Sequence, residues 1–501
     1  MPESLRALVV ILLLSALFFK FAEPAAFDIS GKANFVRRRN LWYILTIIAF
    51  IAHSFWVYAI FTIILLIKER KRESNIPALF FFLLFVLPMA TVQISGLGLM
   101  SHIFDLTHAR LLELFILLPA YLKLRKQGSV LPFGKTWTDV FFAAYLILDV
   151  AFTLRGNNWA PGSFTNTLRE AFVRFIDIFL PYYVISRSLR SIQDFRDALH
   201  SLVMSIGVLA PLAIFEAYKF WLLYSAATNE LGMEGKLTGY MSRGDMLRAI
   251  VTTGQPIVLG YIMLVGIGSY LYLQRFVRNK NMRLLGIGLL VAGLIASVSR
   301  GPWVAAVALA IVFIATGQYA LRRFIFAILF AGLALGLASA LPEGEKYINM
   351  LPFVGTSESE NVTYRQDLLT NSMIVIERNF WFGSADYLST PEMQSMIQGE
   401  GIIDIVNSFI GVALERGVVG LGLFVTFFVL ILLGLLRSLY SIRDKASEEH
   451  LLGQALLATM TGILVTIFTV SSITFVPIIY WSMSAVSVAY MQMIKTRTRN
   501  A

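Results

Sequence analysis

Three arginines stand where apolar runs of the sequence break into polar ones, and they are the residues best equipped for chemistry. Arg248 opens Arg248-Ala249-Ile250-Val251-Thr252-Thr253-Gly254-Gln255-Pro256, read as the outer start of an apolar helix. Arg300 sits in Ser297-Val298-Ser299-Arg300-Gly301-Pro302-Trp303, between two such helices, and Arg365 follows Val362-Thr363-Tyr364 in the longest polar stretch. A charge at membrane depth costs roughly 2.5–3.5 kcal/mol on insertion scales, so charged groups in or beside apolar segments are functional candidates. A guanidinium presents its donors in a planar fork that matches phosphate oxygens, and arginines gathered at one membrane surface suit a lipid-linked pyrophosphate. The plainer role for any one of them is to snorkel to the headgroups; recurrence on one side weakens that role for the set.

Ile402-Ile403-Asp404-Ile405-Val406-Asn407-Ser408-Phe409, followed by Ala413-Leu414-Glu415-Arg416-Gly417-Val418-Val419-Gly420-Leu421-Gly422, returns from that polar stretch into an apolar helix. Asp404 and Asn407 are three apart and share a face if the helix has begun there. Both residue types also serve as N-terminal caps. Glu415-Arg416 reads as an intramolecular ion pair. His102, Asp105 and His108 form a polar group better suited to interfacial packing than to a metal, which needs more ligands in fixed geometry. The sequence contains no P-loop, paired-glycine nucleotide fingerprint, zinc-binding His-Glu-x-x-His or nucleophile elbow, so ATP-driven and soluble-hydrolase chemistries are set aside.

The elements that must position these residues are apolar. Hydrophobic residues make up 57% of the chain and charged ones 15%, against about 25% charged in soluble domains. Continuous apolar runs without strand alternation give an all-α polytopic membrane protein. Candidate helices cover 5–22, 41–67, 77–94, 103–122, 139–154, 169–187, 199–224, 251–274, 284–298, 302–318, 324–341, 408–436, 451–470 and 474–494. The opening residues resemble a signal peptide but lack a small-residue cleavage site, so they are read as a first anchor. The absence of cysteine removes disulfides and thiol chemistry.

The formal charge of +11 is an orientation signal rather than a mark of nucleic-acid binding. Lys68 to Arg72, Lys123 to Lys126, Arg187 to Arg196, Arg275 to Arg283, Arg322-Arg323, Arg437 to Lys445 and Lys495 to Arg499 fall on one side, taken as cytoplasmic. Arg37-Arg38-Arg39 fits only if 41–67 folds as two short pieces around His53-Ser54, so the expectation is about twelve to fourteen transmembrane helices. The opposite surface then carries Asn157 to Thr167, Thr228 to Ile250, the Ser299-Arg300-Gly301 turn and Pro342 to Asn407. The division is 1–341, transmembrane helices 1–11; 342–407, a large, partly helical periplasmic loop; and 408–501, C-terminal transmembrane helices.

The order of these motifs resembles the O-antigen ligase and Wzy-type O-antigen or exopolysaccharide polymerase superfamily. Arg248 with Gly254-Gln255-Pro256, the Ser299-Arg300-Gly301 turn, a long outer loop with Arg365, and Asn407…Glu415-x-Gly417…Gly420-Leu421 carry the resemblance, over roughly Gly239 to Gly434. It implies a GT-C-like fold and a glycosyltransferase of the bacterial inner membrane, independent of metals and other cofactors. Such an enzyme uses glycans carried on undecaprenyl pyrophosphate at the periplasmic face. Arg248, Arg300 and Arg365 would then bind the pyrophosphate, with Arg300 stabilising the departing group as its charge grows, and Asn407 would contact the substrate. Ligases of the family have a His immediately before that Asn; here the position is Val406. Asp404 is the nearest carboxylate and the candidate base, and the missing His shifts the expectation from ligation onto lipid A core toward polymerisation of repeat units. Expected partners are the lipid-linked oligosaccharide, the bilayer, and the flippase and chain-length regulator of the same pathway. A transporter or flippase is the rival class, but internal repeats are not evident and the polar candidates gather at one surface rather than at the midplane.

Overall fold

Apolar segments this long must satisfy their own backbone groups, and in lipid the helix does so within one segment. The structure, a computed structural model, describes residues 2–89, 91–96, 102–128, 130–156, 163–232, 239–243, 246–340, 359–398 and 401–500. The chain is an all-α polytopic membrane protein with only two short two-stranded ribbons among the described residues. Glu343-Gly344-Glu345 and Thr356 to Glu358 of the expected cap lie outside the described residues, as does most of Asn157 to Thr167.

In chain order the first helices are α1 (Glu3–Ser30), α2 (Lys32–Ile51), α3 (Phe55–Arg70) and α4 (Ile76–Leu83), followed by strands β1 (Val92–Ser95) and β2 (His102–Leu106). Next come α5 (His108–Leu112), which continues through a π-helical turn into α6 (Leu118–Arg125), then α7 (Trp137–Gly156), and α8 (Ser163–Arg174), which runs through a second π-helical turn into α9 (Leu180–Ser188). Then follow α10 (Ile192–Gly207), α11 (Leu209–Lys219), α12 (Ser225–Glu230), β3 (Ser242–Arg243), β4 (Met246–Leu247), α13 (Pro256–Leu273), α14 (Lys280–Ala296), α15 (Arg300–Ala315) and α16 (Ala320–Ala340). The last are α17 (Ser359–Arg378), α18 (Pro391–Gln394), α19 (Ser408–Ser441), α20 (Glu448–Ile467) and α21 (Phe475–Asn500).

Five helical segments among the described residues are individually long and apolar enough to cross a bilayer: Glu3–Ser30, Ile192–Lys219, Pro256–Phe276, Ser408–Ser441 and Glu448–Ile467. The interior is organised around α13, which packs against α10, α14, α15 and α20 and buries nearly every residue. Leu17, Ile60, Ile147, Leu284, Val307 and Leu329 point outward and are more than half exposed. A surface with so many outward apolar side chains suits hydrocarbon, not water.

The segment 41–67 is not one helix. It breaks at Ala52–Ser54, where His53 has a φ of 47°, and Ser54 turns extended before α3. The break reverses the chain, so Arg37 donates to the Arg72 carbonyl at 2.8 Å and pairs with Glu73 at 2.7 Å. Arg37-Arg38-Arg39 therefore lies on the same side as Lys68 to Arg72. The candidate helix 77–94 is likewise corrected: α4 ends at Leu83, Pro88 disfavours helix at the residue before it, and the alternation Val92-Gln93-Ile94-Ser95 pairs as β1 with β2. The candidate 103–122 accordingly starts as a strand and turns helical at His108. His108 is a buried core histidine, its ring nitrogens bonded to Tyr58 Oη (2.8 Å) and the Leu83 carbonyl (2.9 Å).

Beyond the spans, α17 and α18 build a small cap with its own core. Leu368, Val375, Ile376, Tyr387, Met393 and Met396 pack on Ala413 and Leu414 of α19. The cap is clasped to that helix by two close glycine approaches. Gly417 has φ 62° and kinks α19 against the backbone of Trp381 and Phe382, while Gly383, φ 63°, abuts the backbone from Leu414 to Arg416. Ser384 N–H donates to the Leu414 carbonyl and Val418 N–H to the Phe380 carbonyl, both at 2.8 Å. Neither position has room for a Cβ.

Candidate functional site

The Ser299-Arg300-Gly301 turn forms because α14 ends at Ala296 and α15 begins at Arg300 with Pro302 in its first turn, where the missing N–H costs nothing. Between them Val298 adopts a left-handed φ of 45°, sparsely populated for a β-branched residue. Ser297 and Ser299 hydroxyls close on the Leu294 and Ser297 carbonyls. Gly260 of α13 lies where a Cβ would strike Ser297 and Pro302, so the turn is held against the central helix. Arg300 is half-buried at the head of α15.

Arg248 does not begin a helix. It follows β4 in non-helical chain, eight positions before α13 starts at Pro256, because Val251 (φ 45°) and Gly254 (φ 74°) interrupt helical geometry. Its N–H donates to the Met241 carbonyl (2.9 Å), the next residue's N–H to Ala296 (3.1 Å), and its guanidinium to Ser299 Oγ (3.2 Å). Arg248 therefore meets the Ser299 turn from the chain just after a ribbon, not from a helix. That ribbon contributes a further arginine the sequence reading missed, Arg243 of β3, which donates to the Val298 carbonyl at 3.1 Å.

Asp404 and Asn407 do not share a helical face, because α19 starts only at Ser408. Asn407 is its cap: Oδ1 accepts from the N–H groups of Phe409 (2.9 Å) and Ile410 (3.2 Å). Asp404 lies in the non-helical approach, half-buried, and accepts from Ser471 Oγ at 2.6 Å; its backbone carbonyl takes the Tyr364 hydroxyl at 3.1 Å. Arg365, one residue further along α17, is exposed and donates to the Thr469 carbonyl at 3.4 Å. Partial desolvation pulls Arg365 below the usual arginine value and Arg243 adds to this, while Asp404 opposes it.

These contacts converge on the connection between α20 and α21, Phe468 to Thr474, which the sequence reading passed over. Thr469 lies against Gly301, where a Cβ would strike its hydroxyl, and its carbonyl receives Arg365. The Val470 carbonyl receives Ser408 Oγ (2.7 Å), Ser472 Oγ bonds Ser408 Oγ (2.9 Å), and Ser471 holds Asp404. The connection thus joins the Arg300 turn, Arg365, Asp404 and the start of α19. Its signal in sequence is the hydroxyl run Thr469-Val470-Ser471-Ser472 between two apolar helices.

A cavity of about 490 Å³ opens beside Asp404, Asn407, Ser471 and Ser472. Its far wall holds charges from helices distant in sequence. Asp149 of α7 takes Arg174 at 3.0 Å and also pairs with Arg416, which bonds Glu415 as well and lies over the Tyr145 ring at 5.9 Å. The Glu415–Arg416 pair is therefore one part of a network spanning three helices. Asp177, in the π-helical turn after α8, reaches the same cavity and pairs with Arg110 at 2.8 Å. Aromatic surface from Tyr387, Tyr480 and Trp481 completes it. No cluster of metal-ligating residues occurs among the described residues.

Fold and site together define a multi-pass membrane protein whose arginines, carboxylate and cavity meet where helices emerge beneath a small cap. Residues 285–425 match the family model Wzy_C, described as O-Antigen ligase, so this stretch is similar to that family. The match contains Arg300, Arg365, Asp404 and Asn407; Arg248 precedes it. No curated protein matches the chain.

Proposed function

We propose that the protein is a glycosyltransferase of the bacterial inner membrane that polymerises undecaprenyl-pyrophosphate-linked repeat units at the periplasmic face. The observation that carries the reading is the Phe468–Thr474 connection, which holds the arginine group on one flank and Asp404, facing the cavity, on the other. In the reaction an acceptor hydroxyl oxygen bonds to the anomeric carbon of the donor glycan. The bond from that carbon to the pyrophosphate oxygen breaks, and its electron pair leaves with undecaprenyl pyrophosphate. Asp404 takes the hydroxyl proton; Arg300, Arg248 and Arg365, with Arg243 beside them, stabilise the charge growing on the leaving pyrophosphate. The acceptor sugar enters the cavity, which Asn407 helps to line. The donor is already activated, so the step as written calls for neither nucleotide nor metal. Donors arrive already flipped, and the flippase and chain-length regulator of the pathway are the expected partners.

Ligation onto lipid A core is the second reading, favoured by the description of the matched family; Val406 at the family's histidine position favours polymerisation. Reconstitution with lipid-linked repeat units separates them. Ladders of longer lipid-linked glycan with no lipid A core present support polymerisation, and glycan-capped lipid A core supports ligation. Translocated but unextended repeat units overturn both in favour of transport.

A further inference from the structure

Glu216 lies at the end of α11 and is fully buried. A carboxylate so placed is strongly disfavoured unless its oxygens find donors. It finds three, all backbone: Oε1 accepts from Leu223 N–H at 2.9 Å, and Oε2 from Ile250 N–H at 3.1 Å and Val251 N–H at 2.9 Å. The last two donors converge on one oxygen because Val251 holds its left-handed φ of 45°, a strained choice for valine; consecutive N–H groups in such a turn form an anion-holding concavity. Leu222, Leu247 and Ile250 close a small apolar core there. The pinned residues stand two and three positions after Arg248.

We infer that Glu216 is a positioning residue for the transfer site: by fixing residues 250–251, it holds Arg248 against the Ser299-Arg300-Gly301 turn. The inference rests on the reading of Arg248 as a pyrophosphate contact. Glu216→Gln keeps the shape but replaces one acceptor oxygen by an amino group facing N–H donors, so at least one of the three bonds is lost.

The test uses the full chain in nanodiscs, with hydrogen exchange read by mass spectrometry and undecaprenyl pyrophosphate as the binding probe. In the unaltered protein, Ile250 and Val251 exchange as slowly as the core of α13 although they lie outside any helix; fast exchange there overturns the inference without any variant. In E216Q, exchange rises at 222–223 and 248–253 and nowhere else, and affinity for undecaprenyl pyrophosphate falls about 10- to 100-fold, the scale of a lost charge-assisted hydrogen bond. Faster exchange with unchanged affinity makes Glu216 a structural anchor only and overturns the inference. An unaltered protein that binds no undecaprenyl pyrophosphate, yet shows the exchange pattern, supports the pinning and overturns the proposed function instead.

Discussion

Arg38, which is buried, and Arg416, which is half-buried, each pair with two carboxylates, one of them on a distant helix, yet they end differently. Arg38 is 1% exposed, and its guanidinium places all five N–H donors on the protein: three on Glu73 and Asp197 through Nε and Nη2, and two on Asp197 and Ser201 through Nη1. Arg416 binds Asp149 and Glu415 but borders the 490 Å³ cavity. A closed network is a staple, because its geometry leaves nothing for a ligand to exchange. A network beside a cavity can rearrange its bonds when hydroxyls arrive. The same chemistry therefore closes a network around Arg38 and lines an open cavity beside Arg416.

The comparison breaks if the two regions respond alike. Arg38→Ala leaves Asp197 without its cation and Glu73 with Arg37 alone, and is expected to cost about 3–5 kcal/mol of stability, read as a lowered Tm in nanodiscs with transfer per folded molecule unchanged. Asp404→Asn should do the reverse, lowering turnover by at least about 10²-fold with the Tm retained; full activity in a stable variant removes Asp404 as the base. Arg416→Lys keeps the charge but loses the fork, and is expected to raise KM for the acceptor about tenfold, with kcat changed less. A shift in Tm without one in KM would assign Arg416 to the same class as Arg38. The smallest effect is expected of Ser471→Ala, which removes one hydroxyl donor from Asp404 and should slow transfer about fivefold, below the full scale of a hydrogen bond to a charged group because the hydroxyl is shared with the Ile405 carbonyl.

What the sequence disclosed follows the range of the interactions involved. The membrane class, the Ser299-Arg300-Gly301 turn and the return through Asn407 were legible because apolar runs, Pro302 and a capping asparagine act locally. The site around Arg416 was not, because its partner Asp149 is 267 positions away. Asp149 did leave a trace, a lone carboxylate inside Tyr145-Leu146-Ile147-Leu148-Asp149-Val150, and membrane-depth charge is a signal in itself. Arg248 stood out for its charge but was expected at the head of a helix, since apolar composition does not reveal that Glu216 captures the N–H groups of Ile250 and Val251. The fold of 77–94 failed for a similar reason: a buried apolar run reads alike whether it continues as helix or ends at Leu83 and resumes as a strand beyond Pro88.

The clasp between Gly383 and Gly417 bears on how such proteins diversify. Two backbones in direct contact fix the register of the cap on α19 to within one residue, so the cap is not a module that can be exchanged whole between relatives. Faces that the clasp does not touch, such as the outward side of α17, carry no such constraint. Substitution on that face leaves the seam beneath it untouched.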